Sequence, residues 1–208
     1  MKTHQYNQQQ AIEVAQALSH GKIIAIPTDT VYGLGVLATD KAAILRLKDI
    51  KQRPQDKAMA YMVDSLNKIE EVCELSDRDR FLIQKFLPGP ITFIFKKKRP
   101  FLLAQESELE TLAIRIPDHP FILDVISQME VGLYVPSANI SHQEPSINSQ
   151  EVTEVFDGII DGVVLGQAFN GQASTIIDAS QSTLQLIRKG VIDFDDVLAG
   201  ERLYEGNI

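Results

Sequence analysis

Hydroxyl, carboxylate and phenol groups are concentrated in the segment PTDTVYGLG, residues 27–35. This segment directly follows the apolar run at 22–26, and ligand sites of α/β proteins commonly form where a buried strand ends. Thr30 and Tyr32 are therefore candidate ligand-binding residues in a turn that contains glycine. The alternative is a turn whose polar side chains satisfy backbone groups. Neither GxGxxG nor the P-loop pattern GxxxxGKS/T occurs, so these phosphate-binding motifs are not supported.

Three cations lie within seven positions in the segment IKQRPQDK, residues 50–57. They are Lys51, Arg53 and Lys57. Arginine offers a planar fork of donors to phosphate oxygens and lysine offers a compact positive charge, so the cluster predicts a phosphate clamp. The alternative is a solvated helix C-terminus, where cations interact favourably with the helix dipole.

Three further segments place polar groups within predicted strands or just after them. Arg115 interrupts the apolar run LAIRIP, so its charge must lie on an open face or be paired. The segment VPSANIS, residues 135–141, ends in hydroxyl and amide groups that either coordinate ligand oxygens or cap the next turn. The segment STIIDAS, residues 174–180, and Arg188 at the end of LQLIR are either ligand contacts or ordinary strand hydroxyls and a surface residue.

Residue types and spacing argue against several other chemistries. The four histidines are scattered, with no HExxH and no paired spacing, so no metal site built by the protein is expected. The single cysteine, Cys73, excludes an intrachain disulfide and a CxxC site. No GxSxG motif is present, which disfavours a Ser-His-Asp hydrolase.

The chain has 208 residues, of which 44% are hydrophobic and 23% charged, as expected for one globular domain over residues 1–208. No apolar run is long enough for an export signal or a membrane span, and the lone cysteine suits a reducing compartment. We therefore expect a cytoplasmic protein with no membrane partner. The net charge of -8 disfavours broad charge-driven binding to nucleic acid, so an anionic ligand must meet a local basic cluster.

The apolar patterns predict helices and strands that interleave along most of the chain. Helices are expected at 9–20, at 40–53 with Asp40 as N-cap, and at 65–73, 76–87, 119–129 and 149–157. Strands are expected at 22–26, 59–63, 91–95, 112–116, 133–135, 163–165, 174–177 and 184–187. Because the last strands follow each other closely, we expect a mixed sheet with helices packed on it and antiparallel pairing near the C-terminus.

Taken together, these segments resemble the YrdC family of threonylcarbamoyl-AMP synthases, in its short, single-domain bacterial form. PTDTVYGLG, the KxRPxxK stretch, PGPIT, AIRIPDHP, PSANIS, STIID and IRKG occur in the family's order between residues 23 and 190. The resemblance implies an α/β fold with a twisted mixed sheet flanked by helices and a large, concave, basic groove. Such a groove reconciles an acidic chain with a nucleotide ligand.

The resemblance also implies a nucleotidyltransferase reaction. L-threonine, bicarbonate or CO2, and ATP accompanied by Mg²⁺ would give L-threonylcarbamoyl-AMP and pyrophosphate. The product would serve t6A formation at position 37 of tRNA, through transient contact with a transferase complex and tRNA. The alternative on the same fold is a YciO-like paralogue that acts as an RNA-binding or regulatory protein.

Matching motifs imply roles for individual side chains. Lys51 and Arg53 would be catalytic and would stabilise charge on the pyrophosphate leaving group. The L-threonine contacts would be Thr30, Tyr32, Arg115 and Ser174. The ATP contacts would be Arg53, Lys57, Thr111, Ser137, Asn139, Ser146 and Arg188.

Overall fold

The computed structural model describes residues 2–98, 103 and 109–206. The strands in this part of the chain are β1 (His4–Tyr6), β2 (Ile24–Ile26), β3 (Gly33–Leu37), β4 (Tyr61–Met62), β5 (Cys73–Glu74), β6 (Ile91–Lys97), β7 (Thr111–Arg115), β8 (Leu133–Tyr134), β9 (Gly162–Val164), β10 (Thr175–Asp178) and β11 (Gln185–Arg188). The helices are α1 (Ala11–Ser19), α2 (Lys41–Ile50), α3 (Leu66–Val72), α4 (Asp77–Phe86), α5 (Pro120–Ser127), α6 (Ser149–Phe156) and α7 (Phe194–Glu205).

The strands form one mixed sheet in the order β1-β9-β2-β3-β8-β4-β7-β6-β10-β11, and β5 pairs with β6 beside this path. Parallel pairs such as β4 with β7 and β6 with β10 lie next to antiparallel pairs such as β6 with β7. The pair of β10 and β11 is antiparallel, with Ile177 opposite Leu186. The predicted mixed sheet and its antiparallel C-terminal pair are therefore confirmed.

Strand β2 is buried on both faces because helices cover both sides of the sheet. Ile24 and Ile26 pack with residues of α1 and α5. Ile23 and Ala25 point the other way and join the larger core, which includes residues of α2, α4 and α7. This alternation follows from the two-residue period of a strand. It explains why the run at 22–26 is apolar throughout.

Helix α2 begins as predicted but ends earlier. The side chain of Asp40 accepts a hydrogen bond from the backbone N–H of Ala43 at 2.9 Å, which confirms this residue as the N-cap. The helix ends at Ile50 and not near Arg53, because Gln52 adopts a left-handed conformation with φ 50°. The cations of the 50–57 segment therefore lie on an irregular stretch after the helix.

The glycines of PTDTVYGLG lie in strand β3, so the predicted glycine-containing turn is wrong for residues 33–35. The turn is confined to residues 27–32. A Cβ atom at Gly33 would lie 2.4 Å from the Val135 side chain, so glycine is required there by a close neighbour and not by a turn. Among the described residues, no helix is both long and apolar enough to cross a membrane.

Candidate active site

A cavity of about 560 Å³ opens beside the turn at 27–32 and the C-terminal end of β7. Within the described residues, the charged groups that line it are four cations and no carboxylate. Hydroxyl groups surround these cations. The polar lining residues are Thr28, Thr30, Tyr32, Arg53, Lys57, Thr92, Arg115, Ser137, Ser174 and Arg188. This lining suits an anionic ligand.

Arg115 reaches the cavity from the end of β7, and its side chain is only 4% exposed. Its Nε donates to the Gly89 carbonyl at 3.2 Å, Nη1 donates to Thr30 Oγ1 at 3.0 Å, and Nη2 donates to Asp29 Oδ1 at 2.6 Å. Burial lowers the pKa of Arg115, and the charge of Asp29 opposes this shift. The charge in this strand is therefore paired, one of the two situations that the sequence allowed.

The hydroxyl of Thr30 has a defined direction. Thr28 Oγ1 donates to the Val31 carbonyl at 2.7 Å, so it must accept the hydrogen of Thr30 Oγ1, which lies 2.9 Å away. Because Thr30 Oγ1 also accepts from Arg115, one acceptor position remains on this oxygen. That position can accept a hydrogen bond from an ammonium or amine group in the cavity.

Arg188 is held against Ser174. Its Nε and Nη2 donate to the Ser174 carbonyl at 3.1 and 2.8 Å, and Nη2 also donates to Ser174 Oγ at 3.0 Å. Ser174 Oγ lies 3.0 Å from Thr92 Oγ1. The Arg188 residue is exposed overall, but partial desolvation of its guanidinium group lowers its pKa, and the nearby charges of Arg115 and Arg53 lower it further. Three guanidinium groups therefore repel one another here, and an anionic ligand would relieve this repulsion.

The segment after α2 contributes Arg53 and Lys57 to the cavity. Arg53 is half-buried, and its Nη2 donates to the carbonyl of Ala58, so the 53–58 loop closes on itself. The Lys57 side chain is exposed. Two of the three cations of the predicted phosphate clamp thus line the same cavity as Arg115 and Arg188.

Lys51 lies under the segment at 137–139 and does not line the cavity. Its Nζ donates to the carbonyls of Ser137 and Asn139 at 2.5 and 2.7 Å and to Asn139 Oδ1 at 3.2 Å. Ser137 Oγ donates to the same Asn139 Oδ1 at 2.6 Å. Burial, with a smaller contribution from Arg53, lowers the pKa of Lys51 to about 7. Lys51 therefore supports the segment that presents Ser137.

Tyr32 is fully buried, and its hydroxyl donates to the Val164 carbonyl at 2.9 Å. Burial raises the pKa of this phenol well above its usual range. Tyr32 lines the cavity, but its hydroxyl is committed to strand β9. In this structure the phenol anchors the turn at 27–32.

The structure brings together most of the predicted site residues. Those that line the cavity are Thr30, Tyr32, Arg53, Lys57, Arg115, Ser137, Ser174 and Arg188. Those that do not are Lys51, Thr111, Asn139 and Ser146. Thr111 lies at the opposite end of β7 from Arg115, opposite Lys96 of β6. Ser146 is buried, and its carbonyl accepts from the Tyr32 backbone. The ligand roles of these four residues stay predictions.

Sequence reasoning missed Thr28, Thr92 and Asp29 as functional candidates. Thr28 and Thr92 line the cavity, and Asp29 pairs with Arg115. Thr28 lies in the polar segment that the sequence singled out, and the structure places its hydroxyl 2.9 Å from that of Thr30. Thr92 alternates with the fully buried Ile91 and Phe93 of β6 and carried no comparable signal.

His119 lies beside this site and is 2% exposed. Its ring stacks on that of Phe169 at a centroid distance of 4.5 Å, and Phe169 is itself 63% exposed. His119 Nδ1 has no hydrogen-bond partner among the described residues. Burial lowers the pKa of His119, and the charges of Asp29 and Asp118 oppose this shift. The exposed phenyl ring therefore shields a buried imidazole.

The resemblance implies that Mg²⁺ accompanies ATP. In the described part of the chain, no group of three or more His, Cys, Asp or Glu residues is placed to hold a metal ion. Mg²⁺ prefers carboxylate and phosphate oxygens, and no described carboxylate lines the cavity. These residues do not fit a magnesium site built by the protein. They are compatible with an ion that arrives on the nucleotide phosphates.

Comparison with known proteins places the chain in context. A family model named for Sua5, YciO and YrdC and described as telomere recombination matches residues 16–190. A threonylcarbamoyl-AMP synthase of Pyrococcus abyssi is 33% identical over 185 residues, which are 86% of this chain and 54% of that protein. One of Bacillus subtilis is 31% identical over 196 residues, 93% of this chain and 57% of that protein. The chain thus spans a little over half the length of these curated relatives.

The chain is also similar in fold to a solved structure. The crystal structure of P. abyssi Sua5 complexed with L-threonine superposes with a TM-score of 0.89 at 28% identity. The match covers 96% of this chain and 61% of that one. The mixed α/β fold described above, with helices on both faces of the sheet, is therefore the fold of that structure.

Proposed function

The chain belongs to the Sua5/YciO/YrdC family, and on that premise we propose that it is an L-threonylcarbamoyladenylate synthase. The proposed substrates are L-threonine, bicarbonate or CO2, and ATP with Mg²⁺ on its phosphates. The products are L-threonylcarbamoyl-AMP and pyrophosphate. The observation that carries the proposal is the convergence of Arg53, Lys57, Arg115 and Arg188 on one cavity, in a chain of net charge -8.

The amino acid is assigned to the end of the cavity beside Arg115. Arg115 makes three hydrogen bonds to the described residues. Two of its five guanidinium N–H groups, one on each terminal nitrogen, therefore remain to bind a ligand. These two donors suit a carboxylate. Thr30 Oγ1 has one remaining acceptor position for the amino group. The complex of P. abyssi Sua5 with L-threonine supports threonine as the amino acid that is bound.

The triphosphate is assigned to the end of the cavity formed by Arg53, Lys57 and Arg188. Burial and mutual repulsion lower the pKa of Arg188, so a polyanion bound there restores favourable electrostatics. Ser137, held in place by Lys51, lines the same cavity; its hydroxyl donates to Asn139 Oδ1, so its oxygen can accept a hydrogen bond from a ribose hydroxyl. The tetraanion of ATP would thus bind where cations are densest.

The proposed reaction requires alignment more than covalent catalysis. The threonine amine adds to CO2 and loses a proton to give a carbamate. A carbamate oxygen then attacks the α-phosphorus as the bond to the pyrophosphate oxygen breaks. The cations at the phosphate end would stabilise the departing charge, and the walls of the cavity would exclude water that decomposes the carbamate.

The product is a mixed anhydride, which water hydrolyses readily. We therefore infer that a transferase acting on tRNA consumes it close to where it forms, in t6A formation at position 37, and we place the reaction in the cytoplasm, where ATP and tRNA occur together. This partnership predicts that purified transferase components form t6A faster when the protein is present. An unchanged rate would contradict it.

The proposed activity can be tested directly. Purified protein is incubated with ATP, magnesium, threonine and labelled bicarbonate, and rapid chromatography is used to detect a labelled AMP adduct alongside pyrophosphate. The adduct should require threonine and should be lost in Arg53→Ala and Arg115→Ala variants that remain folded. Arg202→Ala, an exposed arginine in the last turn of α7, is the matched control and should retain activity. Absence of both the adduct and ATP binding would overturn the proposal and favour an RNA-binding paralogue.

A further inference from the structure

Arg115 and Arg188 line one cavity but have partners of different charge. Arg188 donates to the carbonyl and hydroxyl of Ser174, which are neutral. Arg115 donates to the Asp29 carboxylate at 2.6 Å, and both side chains of this ion pair are 4% exposed. The positive charge at the Arg115 end is therefore opposed by an adjacent buried negative charge, whereas Ser174 places no negative charge beside Arg188.

Asp29 does not itself face a ligand. It does not line the cavity, and its carboxylate accepts a hydrogen bond from Arg115, which does line it. Its Oδ2 has no hydrogen-bond partner among the described residues, although it is buried. A buried carboxylate with an unsatisfied oxygen is costly. A neutral amide would accept the same hydrogen bond from Arg115, so the geometry alone does not require a charge at this position.

We propose that Asp29 is a specificity-determining residue that acts through Arg115 and keeps polyphosphate out of the amino-acid end of the cavity. This inference rests on the proposed function, because it assigns the two ends to different ligands. The repulsion from the Asp29 charge grows with the charge of the ligand. A zwitterionic amino acid has no net charge, so the Asp29 charge weakens its binding little. A triphosphate carries several negative charges, so its binding is weakened more. Asp29 thereby fixes the direction in which ATP enters the cavity.

The test is a competition between threonine and inorganic tripolyphosphate, measured by isothermal titration calorimetry without any turnover. In the wild type, saturating tripolyphosphate occupies the Arg188 end and leaves the threonine dissociation constant unchanged within about threefold. In Asp29→Asn, tripolyphosphate gains the Arg115 end, and the apparent threonine affinity falls at least tenfold when it is present. Asp118→Asn is the matched control, because it removes an exposed carboxylate three residues from Arg115 and should behave as the wild type.

The outcomes separate this inference from the proposed function. Failure of the wild type to bind threonine would overturn both. Threonine binding that is equally insensitive to tripolyphosphate in the wild type and in Asp29→Asn would overturn the role of Asp29 alone. The wild-type measurement suffices where Asp29→Asn does not fold, because displacement of threonine by tripolyphosphate from the wild type contradicts the proposal by itself.

Discussion

Lys51 Nζ donates to both the backbone oxygen and the side-chain Oδ1 of Asn139, at 2.7 and 3.2 Å. The two residues are 88 positions apart in the chain, and their hydrogen bonds join the segment at 50–57 to the segment at 135–141. Since Ser137 lines the cavity and Lys51 does not, we expect the lysine to affect a ligand by positioning this segment. Its contribution to the site is therefore inseparable from its contribution to the fold.

Replacing Lys51 with methionine should lower the free energy of unfolding by about 2 kcal/mol, because buried carbonyl oxygens lose their donor. It should also raise the KM for ATP, because Ser137 is no longer held. Urea denaturation at about pH 10, where Lys51 is neutral in the folded state and the cost of its buried charge is largely gone, and steady-state kinetics measure the two effects. Lys41→Met, at the exposed first residue of α2, should change stability by less than about 0.5 kcal/mol. A stable Lys51→Met protein would contradict the positioning role.

The same lysine should make stability depend on pH. Burial lowers the pKa of Lys51 to about 7 in the folded state, against the ordinary lysine value of 10.5. Between these values the unfolded chain binds one more proton than the folded protein, so stability rises with pH. Below pH 7 the folded state carries the full cost of the buried charge. Above pH 7, the free energy of unfolding of the wild type should rise relative to that of Lys51→Met by at most about 1.4 kcal/mol per pH unit. If the free energies of unfolding of the wild type and Lys51→Met changed with pH in parallel, the lowered pKa of Lys51 would be contradicted.

Arg188 and Ser174 should contribute differently to ATP binding. Arg188→Ala removes a cation from the phosphate end and should weaken the binding of a non-hydrolysable ATP analogue at least tenfold, about 1.4 kcal/mol. Ser174→Ala should weaken it less than threefold, because the Ser174 carbonyl still holds the guanidinium through two bonds. Calorimetry on both variants measures the difference. Lys189→Ala, the exposed neighbour, is the control, and equal losses in the first two variants would contradict this division.

The sequence could predict this site to the extent that its residues follow local patterns. Asp40 as N-cap, the apolar run before the 27–32 turn and the cationic 50–57 segment are all recognisable within a few neighbouring residues. Residue type also identified Arg115, because a charge inside an apolar strand needs a partner. The partner itself, Asp29, lies 86 positions away, and only the pairing order of the sheet places it there.

The remaining differences have specific physical causes. Gly33 and Gly35 suggested a turn, but they lie in a strand whose neighbours leave no room for a Cβ at Gly33. The contact of Lys51 with the pyrophosphate stays a prediction, and its hydrogen bonds to the backbone of Ser137 and Asn139 join segments too far apart in the chain for local spacing to indicate. Thr111 shares strand β7 with Arg115 but stands at its other end, because a strand rises about 3.3 Å per residue.

Thr30 should tolerate serine but not valine. Valine fills a similar volume and removes the acceptor for Arg115 Nη1, so a buried N–H loses its partner. We expect Thr30→Val to lose about 1–3 kcal/mol of stability and to bind threonine at least tenfold more weakly. Thr30→Ser keeps the hydroxyl and should bind threonine within about threefold of the wild type. Thermal denaturation and threonine titration test both variants, and equal behaviour of the two would contradict the role of the hydroxyl.

Phe169 should control the protonation of His119. Burial lowers the pKa of His119, and the exposed Phe169 ring stacked on the imidazole is part of that burial. A histidine whose pKa is lower in the folded than in the unfolded state costs stability as the pH falls through the range between the two values. Phe169→Ala opens the imidazole to water, so the His119 pKa should rise and the loss of stability on acidification should become smaller.

The measurement for this variant is an NMR titration of the histidine Cε1–H signals between about pH 4.5 and 8, together with urea denaturation at about pH 5 and 7.5. Leu165→Ala, in the same loop, is the matched control, because it truncates a 41% exposed apolar side chain and keeps the Phe169 ring that stacks on His119. The signals of His4, His20 and His142 should stay unchanged between variants. A His119 titration that is the same in Phe169→Ala and the wild type would show that the shielding comes from the core below the imidazole and not from the ring above it.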